Sequence, residues 1–460
     1  MSNDNRRFIR RVLYLMIPVL IQNGITNFVN MLDNLMVGQV GDAETAAVAI
    51  ASQLIFIFNL CIFGAVSGAG IFGAQFYGAG DVEGLRQTFR FKIVMSAVIT
   101  AAATAILVFF GDYFISLFLT GEGKPEVIAR TAELAHDYLF TMLVSLFPFA
   151  LVQCFASTLR ETGRTVLPMA AGFSATLVNL LLNWVLIFGN FGSPKLGVVG
   201  AAIATVTSRF AELAIVAVGT WVTRKKGPFI VGAFTHFRIK LSLIKQILIK
   251  GCPLILNEMM WSLGMTTLNG FYSTKGHDVV TANSINITFF NVVAVAFFSL
   301  GAVISIIIGQ TLGAGEIEEA KRSAKKLLLI SLVIGVTVGL LYAAMAPFVP
   351  HLYNVEDTVY PVATGLMLIC AAFMPFEAVT HSEYFTIRSG GKTFITVLFD
   401  SGFMWALCVP SVFLLSKFTG LSVFWLYGAV QVVNLIKCVL GFIIVRRGRW
   451  ATNLVEDEPS

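Results

Sequence analysis

The stretch QFYGAGDVE at residues 75–83 returns as QTLGAGEIE at residues 310–318. With this pair in register, residues 18–86 align with residues 253–321 without a gap, and 12 of the 69 positions are identical. A second pair, RETGRT at 160–165 and RSGGKT at 388–393, matches at an offset of 228. The chain is therefore built from two related halves.

Composition places both halves in a membrane. Hydrophobic residues make up 57% of the 460 residues and charged residues only 13%, about half the usual share in soluble domains. A soluble core cannot hide that much apolar surface, whereas a bilayer can. Apolar runs of the length that crosses a bilayer predict twelve spans. They lie near residues 12–37, 46–75, 91–111, 132–156, 165–190, 196–222, 248–272, 280–308, 326–347, 360–386, 393–416 and 421–445.

Six predicted spans separate the repeated motifs, so the two halves have the same orientation in the membrane. Parallel repeats of this kind are typical of transporters that move a substrate between two lobes. We predict an all-α polytopic membrane protein with two pseudo-symmetric six-helix lobes. The N-terminal lobe covers 1–222, a cytoplasmic linker covers 223–247, and the C-terminal lobe covers 248–460.

Basic residues give the orientation. With the N-terminus and the loops after even-numbered spans placed inside, the cytoplasmic segments hold 25 Lys and Arg residues, counting Lys92, Lys250 and Lys326 at the inner ends of their spans, and the external loops hold 5. Because cytoplasmic loops are enriched in Lys and Arg, we expect both termini in the cytoplasm. We expect a multi-pass protein of the plasma membrane, the inner membrane in a bacterium. The first apolar stretch is too long for a signal peptide, so we expect it to be retained.

Several motifs occur in an order that resembles the multidrug and toxic compound extrusion (MATE) transporters over nearly the full length. They are Pro18, DNLMVG at 33–38, GAGD at 78–81, LRETGRT at 159–165, the pair Asn179 and Asn183, LIFG at 186–189 and LGVVGAAIAT at 196–205. The resemblance implies a cation-coupled antiporter. Such a protein exports organic, often cationic and amphiphilic compounds, driven by inward Na⁺ or H⁺.

The first span carries one carboxylate among amides. Asp33 lies 22 residues after Arg11, which is about 33 Å along a helix and hence in the outer half. Ionisable residues inside spans are functional candidates. A stripe of amides with helical spacing shares the face and predicts a substrate cavity or, alternatively, helix packing. Its members are Asn23, Asn27, Asn30 and Asn34.

The resemblance also implies a cation site. In the family, a carboxylate in span 1 groups with an Asn and an Asp in span 5 and with span 6. This maps the site onto Asp33, Asn179, Asn183, Ala201 and Thr205. Asn183 stands where relatives with this site usually have Asp. Its neutral amide predicts a weaker Na⁺ site or, alternatively, a proton carried by Asp33.

The C-terminal half carries its carboxylates elsewhere. Glu258 and Glu377 lie in the inner halves of spans 7 and 10, and Glu377 matches a family carboxylate implicated in cation coupling. We predict that both take part in cation coupling; a structural ion pair is the alternative. Asp33 aligns with Leu268, so the two halves do not share their carboxylates. One lobe is expected to bind the coupling cation and the other the cationic substrate.

Two basic residues lie at equivalent depths, Arg209 in span 6 and Lys437 in span 12. Glu212 lies three residues after Arg209, on the same helical face, and is its expected partner. We interpret Arg209, Glu212 and Lys437 as structural charges. Asp400 is expected to be a packing partner within its lobe.

Other classes fit less well. A lipid or lipid-linked glycan flippase of the same superfamily is the alternative, but it would need a more basic cavity. No nucleophile–base pair, metal motif or P-loop is present in the sequence, so we expect no enzyme and no direct use of ATP. We expect no catalytic residue, no cofactor and no metal beyond Na⁺ as a possible coupling ion. We also expect no nucleic-acid partner, and a monomer.

Overall fold

The computed structural model describes residues 3–119, 125–227, 229–235, 237–353 and 355–456. Over these residues the chain forms helices and turns and no strand. The long helices are α1 Asn3–Gly38, α2 Asp42–Ala79, α3 Val82–Phe118, α4 Pro125–Glu161, α5 Val166–Phe188, α6 Gly197–Val222, α7 Leu241–Ser273, α8 His277–Gly313, α9 Ile317–Met345, α10 Val359–Ser389, α11 Thr393–Phe418 and α12 Val423–Arg447.

Each of the twelve predicted spans coincides with one helix. Among the described residues, eleven helices are long and apolar enough to cross a membrane. The twelfth, α7, has the length, but polar residues such as Asn257, Glu258 and Asn269 lower its mean hydropathy. The predicted fold class, a polytopic all-α membrane protein with twelve helices, is confirmed.

The described residues form two compact units. The N-terminal unit comprises residues 17–73 and 82–245, and α3, α4, α5 and α6 pack together within it. The C-terminal unit comprises the residues up to 16, 74–81 and those from 246 onward, and α8, α9, α10 and α12 pack together within it.

The stretch that follows α6 is held against α3 inside the N-terminal unit. Arg90 of α3 is 2% exposed and donates hydrogen bonds to the carbonyls of Gly232 at 3.0 Å, Ala233 at 2.6 Å and Arg238 at 3.0 Å. The same guanidinium forms an ion pair with Glu83 at 2.7 Å. Part of the stretch that the sequence predicts to be a linker is therefore attached to the N-terminal unit.

The repeated GAG motif marks a place where α2 and α8 touch through their backbones. A Cβ on Gly78 would collide with the backbone of Gln310, and one on Gly313 would collide with the backbone of Gln75. The second glycine of each motif has a left-handed φ, +75° at Gly80 and +78° at Gly315, which favours glycine after a helix. All these residues belong to the C-terminal unit.

Both motif glutamines bind other parts of the C-terminal unit. Arg11 donates to Gln310 Oε1 at 2.8 Å. Gln75 donates to the Ser389 carbonyl at 3.0 Å and accepts from the Leu454 amide at 2.7 Å. The motif therefore combines close helix contact with attachment of the C-terminal segment after α12.

Replacing Gly313 by Ala is expected to destabilise the protein, because the methyl group has no space beside the Gln75 backbone. The expected loss is about 1–3 kcal/mol of unfolding free energy, as for other overpacking substitutions. Thermal unfolding in detergent measures it. Gly270→Ala is the matched control, since nothing lies within 4 Å of its added Cβ. Equal melting temperatures for the two variants would contradict the close contact.

Candidate functional site

A polar cluster in the N-terminal unit brings together α1, α5 and α6. Asn183 Nδ2 donates to Asp33 Oδ1 at 2.6 Å. Oriented so that both of its neighbours are satisfied, the Asn179 amide nitrogen lies 3.1 Å from each Asp33 oxygen and its oxygen accepts from Thr205. The Thr205 hydroxyl also lies 3.0 Å from the carbonyl of Ala201. The five residues implied by the family resemblance thus lie together.

The two amides of the cluster are buried, and the Asp33 and Thr205 side chains are partly buried. Asn183 is 1% exposed, and its Oδ1 has no hydrogen-bond partner among the described residues. Asp33 forms no ion pair with another described residue. A carboxylate that accepts two amide N–H groups is stabilised by charge-assisted hydrogen bonds, yet it keeps its net negative charge. The arrangement can attract a small cation or a proton.

The amide stripe on α1 is partly described. The side chain of Asn27 is exposed and that of Asn23 is partly buried. The side chains of Asn30 and Asn34 lie outside the described residues. Their place in a substrate cavity stays a prediction.

Arg209, the predicted structural charge of the N-terminal unit, is paired with a carboxylate on its own helix. Arg209 donates to Glu212 at 2.9 Å, and its guanidinium lies 5.2 Å from the centre of the Phe149 ring. Glu212 is buried, with its Oε1 3.6 Å from the position of a Cβ on Gly172. The i, i+3 spacing in the sequence thus corresponds to an ion pair.

Lys437, the predicted structural charge of the C-terminal unit, is paired with a carboxylate on a neighbouring helix. Lys437 of α12 forms an ion pair with Asp400 of α11 at 2.6 Å and lies over the Phe399 ring. Asp400 lies in a π-helical turn, Leu398–Gly402, a local widening that is frequent at functional sites. Its second oxygen accepts from Asn257 Nδ2 of α7 at 2.9 Å.

The two predicted carboxylates of the C-terminal unit each accept a hydrogen bond from a neighbouring helix. Tyr384 donates to Glu258 at 3.3 Å, and Asn257 in turn lies 3.4 Å from the Tyr384 hydroxyl. Asn434 of α12 donates to Glu377 at 3.0 Å. Neither glutamate forms an ion pair with a described residue. The structure connects Glu258 to Lys437 through side chains of α7, α10 and α11.

Three amide and hydroxyl groups of this network were missed by sequence reasoning: Asn257, Tyr384 and Asn434. Asn434 lies three residues before Lys437, so helical spacing could have placed it beside the predicted basic residue. Asn257 and Tyr384 gave no such signal, because their roles depend on which faces of α7, α10 and α11 meet.

An apolar cavity of about 860 Å³ lies in the same unit. Its lining is mostly aliphatic, with three aromatic side chains, Phe373, Phe424 and Trp425, and Ser411 is the one hydroxyl group among the described lining residues. A cavity of this size and character suits an apolar organic group.

Several known proteins are similar to this chain over nearly its whole length. The probable multidrug resistance protein NorM of Thermotoga maritima is 22% identical over 453 residues, which are 97% of this chain and 94% of that protein. The probable multidrug resistance protein YoeA of Bacillus subtilis is 26% identical over 457 residues, or 97% of this chain and 96% of the relative.

Solved structures share the fold. The outward-facing conformation of a multidrug resistance MATE family transporter of the MOP superfamily aligns with a TM-score of 0.85 and 20% identity, over 95% of each chain. A mutant of the Vibrio cholerae MATE transporter VcmN aligns with a TM-score of 0.86 and 19% identity, over 97% of this chain and 98% of that one. The MatE family model matches residues 18–185 and 253–400. This chain therefore belongs to the MatE family, the multidrug and toxic compound extrusion transporters.

Proposed function

We propose that this chain is an antiporter that exports organic cationic amphiphiles in exchange for Na⁺ or H⁺, by alternating access between its lobes. The observation that carries the proposal is the Asp33 carboxylate, which is bound by the amides of Asn179 and Asn183 and by no described basic side chain. A carboxylate left unpaired in a membrane span is a functional site by default.

The two amides suit a site that alternates between empty and occupied. An Asn side chain carries donors on one side and an acceptor on the other. Its nitrogen can bind the bare carboxylate, and after rotation its oxygen can bind a cation or the hydroxyl of a protonated Asp33. Asn183 Oδ1, buried and without a described partner, is the oxygen available for this exchange.

The substrate class is supported by the C-terminal unit and by the relatives. The apolar cavity accommodates an apolar group, while Glu258 and Glu377 supply carboxylates without ion-pair partners among the described residues. Two relatives carry multidrug resistance in their names. We propose that Asn23, Asn27, Asn30 and Asn34 add polar contacts along the substrate path.

A flippase is disfavoured by the pairing of the deep basic residues. Arg209 and Lys437 are each bound to a carboxylate, so neither offers a free positive charge to a pyrophosphate group. We propose a monomer in the plasma membrane with both termini in the cytoplasm, following the distribution of Lys and Arg. No cofactor beyond the coupling ion is proposed, and no catalytic activity.

Asp33→Asn is expected to abolish gradient-driven efflux, because the amide can neither carry a proton nor balance Na⁺. Efflux of a fluorescent organic cation from proteoliposomes, under an imposed Na⁺ gradient and separately under a pH gradient, measures this loss. Asp112→Asn is the matched control, since Asp112 is 73% exposed at the side chain. Undiminished coupling in Asp33→Asn would contradict the proposal.

Asn183→Asp distinguishes the two coupling ions. A second carboxylate beside Asp33 is expected to strengthen Na⁺ binding about fivefold or more, since two unit charges about 4 Å apart interact by at least about 1 kcal/mol. The Na⁺ concentration that gives half-maximal efflux measures the effect. If protons alone drive wild-type efflux, Asn183→Asp should instead shift its pH dependence. A variant that alters neither response would place the cation elsewhere.

Glu377→Gln is expected to affect the organic cation more than the coupling ion. Loss of its charge should raise the Kd for the organic cation about tenfold, which corresponds to about 1.4 kcal/mol. Asp33→Asn should leave that Kd within a few-fold of wild type. Fluorescence titration of both purified variants measures the difference. Indistinguishable losses of binding and coupling would refute a division of roles between the lobes.

A further inference from the structure

One buried carboxyl belongs to neither cluster. Glu383 of α10 is 0% exposed. Neither of its carboxyl oxygens has a hydrogen-bond partner among the described residues. It is not among the site residues predicted from the sequence, and the proposed exchange of ions and substrate does not use it.

The carboxyl occupies a space that the neighbouring helices leave for it. A Cβ on Gly441 of α12 would collide with Glu383 Oε2, and the Phe399 ring of α11 lies 2.8 Å from the same Cβ position. Glycine at 441 is thus what allows the carboxyl to lie between α10, α11 and α12. Among the described residues, no donor lies within hydrogen-bonding distance of either oxygen.

The charged and titratable groups around it have other contacts. Lys437 is bound to Asp400 at 2.6 Å, and Arg388 lies against the rings of Tyr384 and Phe385. The charged and titratable groups near it on the three helices are Glu377, His381 and Arg388 on α10, Asp400 on α11, and Lys437 and Cys438 on α12. Within the described part of the chain, none forms an ion pair or hydrogen bond with Glu383.

The N-terminal unit contains an instructive counterpart. Glu161 of α4 also lies directly against glycines, Gly70 and Gly73 of α2. There, however, Lys92 Nζ lies 2.6 Å from both carboxyl oxygens. A charged carboxylate is thus tolerated in such a space when a lysine accompanies it. For Glu383, protonation is the remaining way to avoid burying an uncompensated charge.

We propose that Glu383 is a proton-binding site, separate from the Asp33 cluster. It is a neutral carboxylic acid in this conformation, and it releases its proton to water at another step of the proposed transport cycle. The second half of this inference rests on the proposed antiport; the first half does not.

Infrared difference spectroscopy of the full-length protein in liposomes, near neutral pH, tests the bound proton. The wild-type spectrum should contain a carbonyl stretch of a protonated carboxylic acid that is lost in Glu383→Gln. Glu318→Gln, in which an exposed carboxylate is replaced, should retain the band. A wild type without the band, or a band unchanged in Glu383→Gln, would overturn the proposal. Because glutamine resembles the neutral acid in shape, the variant should keep the wild-type melting temperature.

Efflux driven by a pH gradient tests the release. Glu383→Gln should lower the response to the pH gradient several-fold while leaving organic-cation binding unchanged. An unchanged response would overturn the release. The Asp33→Asn variant separates this outcome from failure of the antiport itself: if Asp33→Asn is fully coupled the proposed function fails, whereas the infrared result for Glu383 stands independently.

Discussion

A charge inside a membrane protein has to be neutralised where it lies, because the surrounding medium cannot solvate it. This constraint accounts for the pairs Lys92–Glu161, Arg209–Glu212 and Lys437–Asp400, each joined at 2.6–2.9 Å. For the two pairs that are largely buried on both sides, Lys92–Glu161 and Lys437–Asp400, removing one partner costs about 3–5 kcal/mol. With the fixed charges paired in this way, a carboxyl without a basic partner is conspicuous.

The two related halves pair their equivalent basic residues, Arg209 and Lys437, with carboxylates from different positions. Position 172 corresponds to 400 and position 149 to 377 at the offset of 228. Where the C-terminal half has Asp400 to bind its lysine, the N-terminal half has Gly172, and the Glu212 carboxylate lies close to that glycine. Where the C-terminal half has Glu377, the N-terminal half has Phe149, whose ring lies beneath the arginine. Equivalent backbone positions thus support different charge arrangements, and this permits different roles for the two halves.

Much of the fold follows from the sequence, because hydropathy and helical length are local properties. The twelve spans and the repeat were predictable, and so was the Arg209–Glu212 pair, which depends only on spacing along one helix. Contacts between helices were not predictable in this way. Asp400 carried no signal that assigns it to Lys437, and Asn257 joins it only because α7 and α11 meet on particular faces.

The Asp33 cluster was expected from family resemblance, since no spacing rule connects residue 33 with residue 183. Glu383 lies three residues before the end of predicted span 10 and was missed because its isolation depends on the packing of α11 and α12 against α10. The close-contact role of Gly78 and Gly313 likewise needed the crossing of α2 and α8.

We propose that the Asp33 carboxylate, which has no basic partner among the described residues, binds the ion exchanged for the organic cation. The most direct test is to add an organic cation to purified protein in weakly buffered solution while recording released protons and bound Na⁺. We expect substrate binding to displace one of these ions from the wild type and none from Asp33→Asn. Substrate binding that displaces neither ion from the wild type, or displaces the same ion from both proteins, would contradict this proposal.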